Sequence, residues 1–174
     1  MVDEIAVEKE AHVTTISFNR PAKRNALTQP MYRAMTETLQ EAAADDDIRA
    51  LRFRGFGPNF TAGNDLKDFG STSDGDSTAN AFLHAVVDFP KPMIAQVQGF
   101  AVGIGTTLLL HCDFVVAATD TRFSLPFVKL GVVPEFASSV LLPELVGRHR
   151  AAKLLLLGEE FNAKQAEAMG LLAE

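Results

Sequence analysis

The sequence contains one cysteine, Cys112, so no intrachain disulfide can form, and a lone thiol beside an apolar helical stretch reads as packing rather than chemistry. It has no basic excess. Lys and Arg number 16 against 22 Asp and Glu, a net charge of −6, which removes the footprint that a phosphate backbone requires and repels an anionic membrane. No apolar run reaches the ~18 residues of a membrane span, and MVDEIAVEKE lacks the basic and apolar regions of a signal peptide. A soluble, cytoplasmic chain with no nucleic-acid or membrane partner is therefore expected. His84, His111 and His149 have no metal-type spacing, and His111 between Leu110 and Cys112 reads as a packed or capping residue. The run Asp45 to Asp47 reads as a solvated loop, and no metal site is expected. No Lys-Ser/Thr pair follows Gly105, and GFAVGIG lacks dinucleotide-fingerprint spacing, so nucleotide cofactors are not implied. Ser138 and Ser139 lack a base partner for nucleophilic chemistry.

What is present is ordinary globular material: 174 residues, 47% hydrophobic and 22% charged, with no repeat or linker, read as one domain over 1–174. Ile5 to Glu8 and His12 to Phe18 predict a hairpin, the second strand half-buried by its alternation, and Arg20-Pro21 ends it. Thr28 is a candidate N-cap for a helix carrying Met31, Met35, Leu39 and Ala42 on one face, stopping before Asp45. Ile48 to Arg54 predicts a strand, followed by a glycine-rich loop into a short helix near Asp65, and then a polar segment, Gly70 to Thr78, suited to an active-site flap. A helix over Ser77 to Phe89 presents Phe82, Val86 and Phe89; strands follow at Met93 to Val97, Phe114 to Ala118 and Arg122 to Ser124. Three helical stretches lie around Phe136 to Leu145, Arg148 to Leu157 and Ala163 to Met169, the last opened by Asn162 and Gln165 at capping-box spacing. Strands alternating with helices predict an α/β fold with parallel pairing. LLAE begins an apolar strand with no continuation, so an incomplete chain is expected.

Two segments share one design, in which a buried strand meets a small-residue turn and then a helix start: Thr61 to Asp65 after the Ile48 strand, and Gly103-Ile104-Gly105 after the Met93 strand. Glycine weakens strands and helices by roughly 0.5–1 kcal/mol relative to alanine, so its use here needs a reason. One is tight packing of a buried helix on a sheet. The other is chemical: free N–H groups at two helix starts, if they converge, hold a single developing oxyanion. Read from the chain alone, Glu135 is a dipole-stabilising glutamate at a helix start. Asp65 and Asp68 suit capping roles.

FTAGNDLKDF, FPKPMIAQVQGFAVGIGTTLLLHCD, ATDTRFSLPFVKLGVVPE and GRHRAAKLLLLGEEFNAKQAEAMGLL, in that order, resemble the enoyl-CoA hydratase/isomerase, or crotonase, family over essentially the whole chain. AGNDLKDF together with PFVKLGVVPE and FASS is most similar to Δ3,Δ2-enoyl-CoA isomerases of the peroxisomal type and their bacterial relatives. The resemblance implies a crotonase (ClpP-like) fold, a stacked ββα superhelix, with the C-terminal helical region of the family missing. It implies oxyanion-hole amides on Asn64 and Ile104, with Gly103 and Gly105 keeping the approach open. Lys23, Arg24 and Ala26, in RPAKRNAL, would lie along coenzyme A; Ala62, Gly63, Asp65, Leu66, Lys67 and Phe127 would line the thioester and acyl site.

In the family's hydratases two glutamates hold water, and the matching positions here are Thr107 and Phe127, neither of which takes a proton. Glu135 stands where the similar isomerases place a single catalytic carboxylate. The implied activity is conversion of a 3-enoyl-CoA to the 2-trans-enoyl-CoA in fatty-acid β-oxidation. Alternatives are a lyase-type 2-enoyl-CoA hydration or other crotonase reaction, and an inactive acyl-CoA-binding fragment. No cofactor is implied beyond the CoA of the substrate, and a homotrimer or dimer of trimers is expected of the full-length chain.

Overall fold

A computed structural model describes residues 4–67 and 78–173. Strand β1 (Ile5–Glu10) pairs antiparallel with β2 (Val13–Phe18), from Ile5 opposite Phe18 to Glu10 opposite Val13. The two-residue connection, Ala11-His12, takes φ of 48° and 67°, the left-handed pair that a tight hairpin demands. Strand β2 is buried over Thr14 to Phe18 on both faces, whereas its alternation predicts a half-buried strand. The reason lies in β3 (Ala50–Gly55), parallel to β2 with Thr15 opposite Arg52 and Ser17 opposite Arg54. Each arginine lays its stem over the polar face and donates Nε–H to the hydroxyl opposite, at 3.2 and 2.9 Å, while Arg54 also pairs with Glu8 at 3.1 Å.

The first sheet continues through β4 (Met93–Val97) to β6 (Phe114–Ala117), all in parallel, in the order β1-β2-β3-β4-β6. A second sheet has the order β5 (Phe100–Val102), β7 (Arg122–Ser124), β8 (Phe161–Asn162). Strand β5 is absent from the sequence reading, which runs QGFAV straight into a helix. The chain passes from β4 to β5 in two residues by turning at Gly99, φ +62°, where a Cβ would sit 2.0 Å from the Pro58 carbonyl oxygen. Leaving one sheet for the other so abruptly carries residues 102–104 away from the first sheet and toward the loop after β3.

Helix α1 (Gln29–Ala44) buries Met31, Met35, Leu39 and Ala42, the expected face, together with Tyr32, and packs on α2 (Thr78–Val87). Thr28 holds the N-cap position, but its hydroxyl donates to Glu4 at 3.2 Å instead of capping. The helix stops at Asp45, as expected, and Lys91 donates to the carbonyls of Ala42 and Asp45 at 2.7 and 2.6 Å, a cation at the negative end of the dipole. Phe18, Phe53, Phe60 and Phe82 form an aromatic ladder between sheet and helices, with Tyr32 stacked obliquely on Phe82 at 5.5 Å.

Short α3 (Ile104–Thr107) runs on as a 3-10 turn to His111. Then come α4 (Ser138–Val146), α5 (Arg148–Leu156) and α6 (Ala163–Ala168), whose Asn162–Gln165 capping box forms in both directions at 2.9 Å. The expected terminal strand is reduced to one contact: Leu171 and Leu172 are buried, and Ala173 N–H donates to Val115 at 2.8 Å. The expected flap, Gly70 to Thr78, lies outside the described residues except for Thr78, which opens α2, and so does Asp68. The expected helix near Asp65 has not begun by Lys67. Among the described residues no helix is long and apolar enough to cross a membrane.

Candidate active site

Residues 61–65 are sewn between two neighbours. On one side Thr61 N–H donates to Phe100 and Val102 N–H to Thr61, at 3.0 and 3.1 Å, so the segment bridges β5. On the other, Leu27 N–H donates to Gly63 and Asp65 N–H to Leu27, both at 2.8 Å, and Ala62 N–H donates to Arg24 at 2.9 Å. A buried asparagine governs this second seam. Asn25, in the left-handed region at φ 56°, shares its amide protons among the carbonyls of Phe56, Asn59 and Phe60, while its own carbonyl accepts from Thr61 Oγ1 at 2.6 Å. Arg20 closes the seam with ion pairs to Glu4 at 2.9 Å and Asp65 at 2.6 Å. The hydrogen bond from Arg20 holds the Asp65 carboxyl below the usual carboxylate range.

The two glycine turns meet over a cavity of about 460 Å³, lined by Gly63, Asn64, Gly103, Ile104, Phe127 and Glu135 among others, with mostly aliphatic walls. Gly63 has φ +87°, and a Cβ there would lie 2.8 Å from the Val102 carbonyl oxygen, so absence of a side chain is what lets the two segments touch. Gly103 turns at φ +56° into α3. Gly105 serves differently: it is buried outside the lining, where a Cβ would come within 2.4 Å of Thr61 Cγ2. The packing reading of the glycines thus holds at Gly63 and at Gly105. Among the described residues, the amide N–H groups of Asn64 and Ile104 have no acceptor.

Glu135 is the only carboxylate among the described lining residues. Its Oε1 accepts from Thr107 Oγ1 at 2.6 Å, and its main-chain carbonyl accepts from Ser138 Oγ at 2.6 Å and Ser138 N–H at 3.0 Å. Burial pushes its pKa above the ordinary glutamate value, opposed by the Thr107 hydroxyl, which favours the charged form. Directly after it, Phe136 and Ala137 both adopt left-handed backbone, φ 54° and 53°, at a cost of about 1–2 kcal/mol each for residues with a Cβ. His111 stacks on Phe136 with ring centroids 3.9 Å apart and donates Nε2–H to the Phe136 carbonyl at 3.0 Å. Burial holds its pKa below the usual histidine value. The packed-histidine reading agrees with this placement.

Of the remaining expected site residues, Ala62 and Leu66 also line the cavity. Lys23, Arg24, Ala26, Asp65 and Lys67 do not: Lys23 and Arg24 are exposed on the loop bonded to Ala62, and Lys67 is exposed beyond Asp65. Phe127 and Thr107 are both buried, Phe127 in the cavity wall. Sequence reasoning missed Tyr32, the only tyrosine, which is buried against the cavity and donates its hydroxyl to Asn64 Oδ1. Burial, and secondarily the charge of Glu135, raises its pKa well above the ordinary value. A phenol placed on the apolar face of α1 was the available signal. Burial pushes the Cys112 thiol up to about 12, which disfavours the thiolate form. Among the described residues no group of His, Cys, Asp or Glu could hold a metal ion.

Residues 8–174 match the family model described as enoyl-CoA hydratase/isomerase. The chain is 41% identical to rat enoyl-CoA delta isomerase 2 over 98% of its own length and 45% of that protein, so it spans about half of that relative. It is 37% identical to 2,3-dehydroadipyl-CoA hydratase of Escherichia coli (strain K12), covering 99% of the chain and 69% of that enzyme. Among solved structures, the putative enoyl-CoA hydratase/carnithine racemase from Magnetospirillum magneticum AMB-1 superposes with TM-score 0.95 at 45% identity, over 99% of this chain and 69% of that one. The α/β architecture is that of the crotonase fold.

Proposed function

The chain belongs to the enoyl-CoA hydratase/isomerase family, and on that premise we propose that it moves the double bond of a 3-enoyl-CoA thioester to the 2-trans position. One observation carries the reading: the described cavity lining offers a single carboxylate, Glu135, together with two amides that lack acceptors. A proton shuttle needs one base. Glu135 takes a proton from C2, and the electron pair of that C–H bond moves into the thioester, giving a dienolate. Its oxygen accepts hydrogen bonds from Asn64 and Ile104 N–H, groups stronger toward the oxyanion than toward the ground-state carbonyl. The protonated Glu135 then delivers the same proton to C4, and the double bond re-forms between C2 and C3. Lys23 and Arg24, exposed beside Ala62, fit the phosphates of coenzyme A, and the steps require no group beyond that carrier. Assembly into trimers belongs to the same proposal and is read from mass in solution.

The test offers the purified chain a 3-enoyl-CoA and, separately, crotonyl-CoA, following absorbance of the conjugated thioester. A rise with the first is the expected result. A fall with the second and no rise with the first assigns hydration instead; no change with either leaves an acyl-CoA-binding fragment.

Thr107 gives the reading a pH signature. Its hydroxyl stabilises ionised Glu135, so Thr107→Val removes a charge-favouring hydrogen bond and raises the pKa further. The base works only when ionised, so the acid limb of kcat moves to higher pH, and the rate on that limb falls by about tenfold, the order of one hydrogen bond to a charged group. An acid limb unmoved in the variant removes Glu135 from the role of base.

A further inference from the structure

Resting on the reading of Glu135 as the base, we propose that His111 is a positioning residue that holds the base in register with the Ile104 amide. Ile104, Thr107 and His111 lie in order along a single continuous helical run, α3 and its 3-10 extension. Two of them meet Glu135 and its neighbour directly. Ile104 lines the cavity with its amide unpaired, Thr107 donates to the carboxyl at 2.6 Å, and His111 donates to the Phe136 carbonyl at 3.0 Å.

The His111 contact falls where the chain most needs holding. Phe136 and Ala137 are consecutive left-handed residues without glycine, and a turn of that kind persists only when its surroundings over-determine it. From the C-terminal side Ser138 grips the Glu135 carbonyl through Oγ and N–H. From the 3-10 extension of α3 His111 grips Phe136 through both the ring stack at 3.9 Å and the hydrogen bond. Because the acceptor is a carbonyl, Nε2 carries the proton, and because His111 lies outside the described lining it offers no base to the substrate. Its effect reaches the chemistry only through the backbone that aims Glu135.

The experiment uses His111→Phe, which keeps a stacking ring and removes the donor, alone and combined with Ala137→Gly, which accepts left-handed backbone without strain. The Ser138 amide, bonded to the Glu135 carbonyl across the turn, reports on the turn by hydrogen exchange; the Leu51 amide, bonded to Pro92 at 2.9 Å in the first sheet, is the reference. In His111→Phe the Ser138 amide is expected to exchange about tenfold faster with Leu51 unchanged. The kcat for 3-enoyl-CoA is expected to fall about tenfold with KM held within about twofold, as for a misplaced but intact group. Adding Ala137→Gly is expected to return kcat to within about threefold of the parent.

Unchanged Ser138 exchange overturns the proposal, as does exchange that rises equally at Leu51, or faster Ser138 exchange in an active protein whose kcat does not move. If the parent chain does not turn over 3-enoyl-CoA, the function reading fails while Ser138 exchange still decides the role of His111. Should His111→Phe not fold, His111→Gln is read the same way, with smaller changes in the same direction expected and none overturning the idea.

Discussion

Glu135→Gln is expected to lower 3-enoyl-CoA turnover by about 10²–10⁴-fold, the range that one positioned acid–base group contributes, while the protein becomes more resistant to heat. The two effects share a cause. Burial raises the folded-state pKa of Glu135 above its ordinary value, so the ionised carboxylate is tolerated less well in the folded chain than in the unfolded one. For a carboxyl shifted upward, the stabilising contribution is full below the unfolded pKa and is lost as pH rises through the folded pKa. The native protein therefore loses it progressively over that rise in pH. A neutral isostere that still accepts from Thr107 removes the penalty, and each kcal/mol so recovered raises Tm by about 2–4 °C in a chain of this size. The gap in Tm between native protein and variant should widen from acid to neutral pH. A variant less stable than the parent at neutral pH, or one with an unchanged rate, contradicts the assignment.

The second large effect is expected at Gly63→Ala. The added methyl meets the Val102 carbonyl oxygen at 2.8 Å, backbone that cannot rotate away, and φ +87° is strained for any residue with a Cβ. Together these cost about 2–4 kcal/mol, or a fall in Tm of roughly 5–15 °C. The clash falls between the segments that carry Asn64 and Ile104, so kcat per folded molecule should fall by about 10²–10³, as when an oxyanion donor is lost. Denaturation midpoints and active-site-normalised kcat, measured on the same sample, separate the two losses. Full kcat in a merely destabilised protein would detach Asn64 and Ile104 from the chemistry.

The elements carried by strong periodicity were legible in the sequence: α1 from Met31, Met35, Leu39 and Ala42, the parallel strands from their apolar runs, and α6 from its capping box. The departures arise where tertiary partners override a local pattern. Thr15 and Ser17 alternate as an exposed face would, yet they are buried under arginines that stand opposite them only once β3 has paired. Phe100 to Val102 is three residues long between glycines, too short to announce a strand that exists because β7 and Thr61 flank it. In the site, the two glycine turns and Glu135 were visible, but which glycine opens the cavity was not, because Gly105 owes its identity to the methyl group of Thr61, 44 positions earlier by subtraction of the two residue numbers. Asn25 and Tyr32 act through single hydrogen bonds or small sets of them to distant backbone and side chain, and such partnerships leave no periodic trace.

The order in which the cavity's walls occur along the chain has a consequence for how the molecule comes into being. Leu27, Gly63, Val102 and Glu135 arrive in the neighbourhood from four separate stretches, and the seams between them join residues tens of positions apart. The hairpin of β1 and β2 and the turns of α1 close short loops and form early, whereas each seam of the cavity waits on closure of a long one. Competence for chemistry is accordingly the last property the folding chain acquires, after most of its helix and strand is in place. A nascent chain halted between Gly105 and Glu135 holds both glycine turns and lacks the carboxylate that lines the cavity with them.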